Sequence, residues 1–336
     1  MNNLIFSSAL ALSIVVATLN ASWAQTLERI SVGALRFTSS GPLFLAKERG
    51  YFRDEDLDVE IVFFEAAPNI AVATASGELT FGVTALTAAF YNLAAENRLD
   101  IVAGQAQEKK GHVGNSILVS KREYTAGTKR LEDLFSKPFG LTQFGSPSHY
   151  QLGQLAAAHG IPMEDIQIRA FQTLPNLVSA LANDQVSWAI IAPPISTQLI
   201  EKGAVVELSR YSDHSAYQFG AVFAGREVVE QQPDMIRRFL RAYKKGLKDY
   251  SVLNSGKGSE ASTEARVTAA FLASYVYPDE PAERATGRIL GSALYVEPDG
   301  EVDMEDITRQ IGWYYDQGLI KAKPQAEELV NLDFLR

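Results

Sequence analysis

Residues 29–64, RISVGALRFTSSGPLFLAKERGYFRDEDLDVEIVFF, decide the fold. The stretch opens on a strand-like alternation from Arg29 to Leu35 and closes on a second such run from Leu57 to Phe64. Between them Gly41-Pro42 opens a helix that carries Leu43, Phe44, Ala46 and Lys47 as far as Gly50, a helix-ending residue. Strand, helix and strand in such close succession form the unit of an α/β protein. The plan continues with a helix from Pro68 to Gly77 and a strand from Leu79 to Val83. An apolar helix from Ala85 to Ala95 and a strand from Ile101 to Gly104 complete the unit.

A second unit repeats the plan. Asn115 to Ser120 reads as a strand leading away, and Leu131 to Phe135 as a helical turn. Strands are expected at Phe139–Thr142, Ile166–Phe171, Trp188–Ile191 and Val205–Leu208, with helices at Ser148–His159, Leu174–Ala182 and Ile195–Lys202. Tyr217 to Ala224 is a further strand. Beyond Arg226 the pattern is helical, with helices at Pro233–Tyr250, Glu260–Tyr277 and Met304–Gln317. Two extended crossings, near Leu118 and Tyr217, join the units. The expected division is a leader at residues 1–24, one lobe from residues 25–117 and 216–336, and a second lobe from residues 118–215.

The leader is legible in its parts. Residues 1–24 hold no Asp, Glu, Lys or Arg, and Leu4 to Leu19 are largely apolar. Ser22-Trp23-Ala24 supplies small residues at the positions a signal peptidase reads, so cleavage after Ala24 and export to the periplasm are expected. The apolar stretch is shorter than the ~20 residues of a spanning helix. The chain contains no cysteine, which excludes disulfides, thiolate metal sites and a cysteine nucleophile. A net charge of −9 argues against nucleic acid as a partner. His112, His159 and His214 are scattered and make no metal-ligand pattern. No cofactor is expected.

Several segments resemble the receptors of ABC importers for nitrate, sulfonates, taurine and the thiamine pyrimidine, the NMT1/THI5-like family. Phe44-Leu45-Ala46-Lys47-Glu48-Arg49-Gly50-Tyr51-Phe52 followed by Leu57-Asp58-Val59-Glu60 is similar to its AxxxGYF…GLDVE signature. Ala75 to Val83 resembles ASGxxDFG, Leu131 to Gly140 resembles LxDLKGKxxG, Gly145 to Tyr150 resembles GSxxH, and Ala180 to Ala189 resembles ALxxGxVDA. Thr80 and Ser187 stand where the family usually has Asp, and Asn183-Asp184 where it has a turn glycine. The resemblance runs from about Ile30 to about Asp249. It implies a two-lobed, type II periplasmic-binding-protein fold, each lobe a mixed, mostly parallel sheet flanked by helices, with a helical C-terminal region. It also implies a small-molecule ligand, an inner-membrane ABC permease as partner, and a monomer.

Ligands of open α/β sheets sit beyond the carboxyl ends of the strands. That rule nominates Arg36, Phe37 and Ser39 after the first strand, and Thr84 and Ala85 after the third. In the second unit it nominates Ser146, Ser148, His149, Tyr150 and Pro193, and along the crossings Asn115, Tyr217 and Phe219. The Ser146–Tyr150 loop opens a helix whose N–H groups suit an anion, with Ser148 as its cap. The plain alternative is a cap and a solvent-facing histidine. Arg36 offers a planar fork for a carboxylate or sulfonate, or is an ordinary loop arginine. Phe37 and Tyr217 can flank a flat ligand or simply fill core. Pro193-Pro194 shapes a wall through its rigid backbone. Arg237, Arg238, Arg241, Lys244, Lys245 and Lys248 form a basic stripe, read as a solvated face or a permease-docking surface. The rival function is an enzyme on the same fold, of the thiamine-pyrimidine-synthase or chorismate-dehydratase type. The first carries a cysteine-rich segment this chain lacks, and the second is cytoplasmic, against the leader.

Overall fold

The computed structural model describes residues 27–254 and 261–336. The expected leader at residues 1–24, and Glu260 at the start of an expected helix, lie outside the described residues. In chain order the first elements are β1 (Glu28–Ala34), α1 (Gly41–Glu48), β2 (Leu57–Phe63), α2 (Ala67–Ala75), β3 (Phe81–Ala85), α3 (Ala88–Ala95) and β4 (Leu99–Gly104). Then come β5 (Gln107–Glu108), β6 (Ser116–Ser120), α4 (Lys121–Thr125), α5 (Leu131–Leu134), β7 (Phe139–Leu141), α6 (Pro147–Ala158), β8 (Ile168–Ala170) and α7 (Leu174–Ala182). They are followed by β9 (Trp188–Ile191), α8 (Ile195–Glu201), β10 (Val205–Arg210), β11 (Tyr217–Gln218) and β12 (Gly220–Gly225). The C-terminal helices are α9 (Arg226–Gln231), α10 (Pro233–Ser251), α11 (Thr263–Val276), α12 (Ala282–Ser292), α13 (Met304–Asp316) and α14 (Ala326–Leu329).

Two five-stranded sheets form, in the orders β2-β1-β3-β12-β4 and β10-β6-β9-β7-β8. Neighbours β1, β2 and β3 run parallel, as do β7, β8 and β9; β12 and β6 are the antiparallel insertions. Each parallel strand reaches its neighbour through a helix, as parallel pairing requires. The two crossings between the sheets pair with one another as the ribbon β5–β11, Tyr217 opposite Glu108 and Gln218 opposite Gln107. The run Tyr217–Ala224 is therefore two strands, split at Phe219. Ser116 and Ile117 pair with Ile191 and Ile190, inside the second sheet.

Amphipathic helices cover both faces of the first sheet. Phe81, Phe239 and Phe52 stack, with ring centroids 4.0 and 5.1 Å apart. The basic stripe on α10 is held within the molecule. Arg238 pairs with Glu28 and Asp234, Arg241 with Glu55 at 2.7 Å, and Lys244 donates to the Leu335 carbonyl at 3.1 Å. α13 touches both lobes. Tyr91 of α3 donates to Gln310 at 3.1 Å, while Trp313 occupies the notch that Gly153 leaves on α6. Among the described residues no helix is long and apolar enough to cross a membrane.

Candidate functional site

Four helices begin where parallel strands end: α1 after β1, α3 after β3, α6 after β7 and α8 after β9. Each helix start presents N–H groups without intrahelical partners and the positive end of a dipole. Thr87 caps α3, its Oγ1 accepting from the Phe90 N–H at 3.3 Å. For α6 the cap position falls on Ser146, because Pro147 takes the first helical place, where its missing N–H is no loss. Ser148 is the next residue in, and its Oγ lies 3.2 Å from that of Ser146. The cap position is thus Ser146 and not Ser148, and the Ser146 side chain makes no capping bond to the helix. The two sheets face each other across these starts: the Ala88 N–H of α3 donates to the Gly145 carbonyl at 2.9 Å. Gly145 has φ +80°, and a Cβ there would stand 2.6 Å from the Ala88 side chain, so the approach needs glycine.

The residues singled out from the sequence fall into three groups. On the first lobe's rim, Arg36 is exposed, its guanidinium 3.7 Å from the Phe63 ring centroid and bonded to the Tyr275 carbonyl at 3.3 Å. Phe37 is half-buried, and Ser39, Thr84 and Ala85 are buried at the strand ends. On the second lobe, Ser146, Ser148 and His149 surround the start of α6, and Pro193 is buried after β9. Burial pushes the His149 imidazole down to about 4, so it is neutral at pH 7. Its Nδ1 accepts the Gly145 N–H at 3.1 Å, which closes the loop upon itself.

The third group is enclosed. Tyr150 is fully buried and donates to Asp306 at 3.0 Å, and Tyr217 packs on it with centroids 5.3 Å apart. Phe219 lies beside Tyr217, and its carbonyl accepts from the Leu86 N–H at 3.1 Å. These three buried rings knit the crossing to the lobes. Asn115 is buried in the crossing with its Nδ2 donating to Gln151 at 3.0 Å.

Three buried polar atoms at strand ends have no protein partner: Thr84 Oγ1, Gln105 Oε1 and Asn115 Oδ1. Buried polar atoms are ordinarily hydrogen-bonded, so these three have bonding capacity to spare, as do core hydroxyls such as those of Tyr243 and Tyr250. Gln105, whose Nε2 donates to the Ser39 carbonyl at 3.1 Å, was not among the residues nominated from sequence. Following β4 to its end, as was done for β1 and β3, would have found it. Glu108 was missed as well. It accepts from the Asn115 N–H at 2.9 Å and from Gln151, and burial pushes its carboxyl up to about 8.

Two grooves lie off the crevice. One of about 660 Å³ sits at the opposite end of the first sheet, beside the 2.8 Å Asp100–Arg226 pair. The other, about 270 Å³, flanks the ribbon and is lined by Glu108, Lys109, Tyr217 and Asp303. Neither receives helix starts from both lobes. Ser209 Oγ lies 2.9 Å from His214 Nε2, but at an exposed edge of the second lobe. Among the described residues no carboxylate hydrogen-bonds the other ring nitrogen.

Residues 38–251 match the NMT1/THI5-like family, more than half of the chain. The chain belongs to that family. A putative aliphatic sulfonates-binding protein of Bacillus subtilis (strain 168) is 26% identical over 237 residues, 66% of this chain and 65% of the relative. The match thus spans just under two thirds of that relative's length. The periplasmic aliphatic sulphonate binding protein SsuA of Escherichia coli superposes with a TM-score of 0.69 at 20% identity, covering 92% of this chain and 99% of that one. The periplasmic nitrate-binding protein NrtA of Synechocystis PCC 6803 gives 0.72 at 13% identity, covering 92% and 87%. This NMT1/THI5-like chain has the two-lobed periplasmic-binding-protein fold, with the C-terminal helices added to the first lobe and crossing to the second.

Proposed function

We propose that this chain is the solute-binding receptor of an ABC importer, capturing a small organic anion of the sulfonate or aromatic carboxylate type by closure of two hinged lobes. One observation carries the reading: helices of both lobes start at parallel strand ends, and the starts of α3 and α6 meet through the Ala88–Gly145 bond, with buried polar atoms such as Thr84 Oγ1 unpartnered nearby. Positive helix ends and N–H donors favour a negative ligand without a full countercharge. The named relatives bind sulfonates and nitrate, which supports an anion. In this reading the chain leaves the first lobe at β5 and returns at β11, so that Ser116 and Ile117 go with the second lobe and the β5–β11 ribbon is the hinge. The chain is exported with cleavage after Ala24, acts as a monomer in the periplasm, and hands its cargo to an inner-membrane permease.

An enzyme is disfavoured by the residues themselves. The sequence offers no cysteine nucleophile, and the one histidine at the crevice, His149, already accepts a backbone N–H. The reading is tested by thermal unfolding with alkanesulfonates, aromatic carboxylates, pyrimidines and nitrate. At a hundredfold excess over Kd a true ligand adds about 2.7 kcal/mol, a rise of several degrees in Tm. Arg36→Ala should reduce the rise given by an anion. No rise with any of these compounds would remove the receptor assignment.

A further inference from the structure

The lobes also meet at a charged contact that ligand capture does not use. α12 begins its course away from the crossing and ends at it. Just past its end Leu294 bridges to Val113 and Tyr295 to Gln107, and Ser292 Oγ lies 3.0 Å from Thr38 Oγ1. At about 1.5 Å per residue, Arg288 and Arg284 stand roughly 6 and 12 Å back along the helix from Ser292. They face Glu201, the last residue of α8 in the second lobe. Arg288 Nη2 donates to Glu201 Oε2 at 2.6 Å, and Arg284 Nη2 to the same oxygen at 3.0 Å. Arg288 Nη1 pairs with Glu280 of its own lobe, and the arginine is only 7% exposed. The two guanidinium groups hold the Glu201 carboxyl below the usual glutamate range.

We propose that Glu201, Arg284 and Arg288 form an electrostatic latch across the mouth of the crevice, and that it sets the balance between closed and open forms. On the α3–α13–α6 flank the lobes are joined near the ribbon by the Ala88–Gly145 backbone bond, by Tyr150 donating to Asp306 and by ring packing. On the α12–α8 flank the link is two arginines on one glutamate, set back along α12 from the ribbon. Isolated surface pairs contribute little, but a buried arginine that loses one of two carboxylates is costly. Glu280 makes the device reversible: when α8 swings away, Arg288 keeps one partner while Arg284 returns to water.

The test needs no ligand, so it stands or falls separately from the receptor reading. The natural chain has no cysteine, which lets spin labels be placed at Ala282→Cys on the first lobe and Ser179→Cys on the second. Pulsed electron resonance then reads the distance between lobes in the ligand-free protein. At low salt Glu201→Gln should lower the closed-to-open ratio about tenfold, the effect of 1.4 kcal/mol. One molar salt, with a Debye length of about 3 Å, should open the natural protein and leave the Gln variant unchanged. Arg284→Gln should fall between the two. A distribution that neither Glu201→Gln nor salt moves overturns the latch.

Discussion

Glu108 and His149 show what single side chains impose. Glu108 titrates near 8 in the folded protein against an ordinary 4.5, so the native state holds a proton that the unfolded chain has released. Its contribution to stability is present below 4.5 and is lost as pH rises towards 8. His149 works the other way: with a native value of about 4 against 6.5, the unfolded chain takes up the proton first, and stability falls as pH drops from 6.5 to 4. Glu108→Gln should therefore flatten the decline between pH 6.5 and 8 in urea midpoints. An unchanged slope there would show that Glu108 is not the group responsible. At this scale the sequence was partly legible. The strand-end rule nominated Thr84, Asn115 and Ser146, which the structure places at the end of β3, immediately before β6 and in the loop before α6. It could not tell that Tyr150 and Tyr217 turn inward, because an aromatic after a strand has the same pattern whether it meets ligand or core. Tyr150 turns in to donate to Asp306, far along the chain, and Tyr217 packs on the Tyr150 ring.

Asp306 matters at the scale of elements, because it fastens α13 to two others, β11 and α6. It accepts from the Gln218 N–H at 2.7 Å, Gln310 at 2.8 Å, Tyr150 at 3.0 Å and Arg309 at 3.1 Å. Asp306→Ala strands buried donors in the ribbon, in α6 and in α13 itself, and should cost about 3 kcal/mol in urea unfolding. A loss under 1 kcal/mol would mean that α13 is held by Trp313 and Tyr314 alone. α13 could be read from its periodicity, but not its neighbours, since an apolar stripe says that a face is covered and not by what. α12 went unnoticed: Gly287 and Gly291 interrupt it and its polar residues outnumber the apolar ones. The break at Phe219 was hidden for the opposite reason, a continuous strand-like run divided between two sheets.

For the whole molecule, the two-lobed plan follows from local order, since each short strand–helix–strand step leaves one way to build a sheet. The closeness of the halves does not, because it rests on contacts between distant segments: Ala88 with Gly145, Glu201 with Arg288, and α13 with α3 and α6. The central claim is that positive helix ends from both lobes enclose a small anion. Calorimetric titration of the purified protein with an alkanesulfonate, and with the alkylammonium of equal chain length, tests it most directly. The account predicts saturable one-to-one binding of the sulfonate and no binding of the ammonium ion. Binding of the ammonium ion in preference to the sulfonate would contradict it.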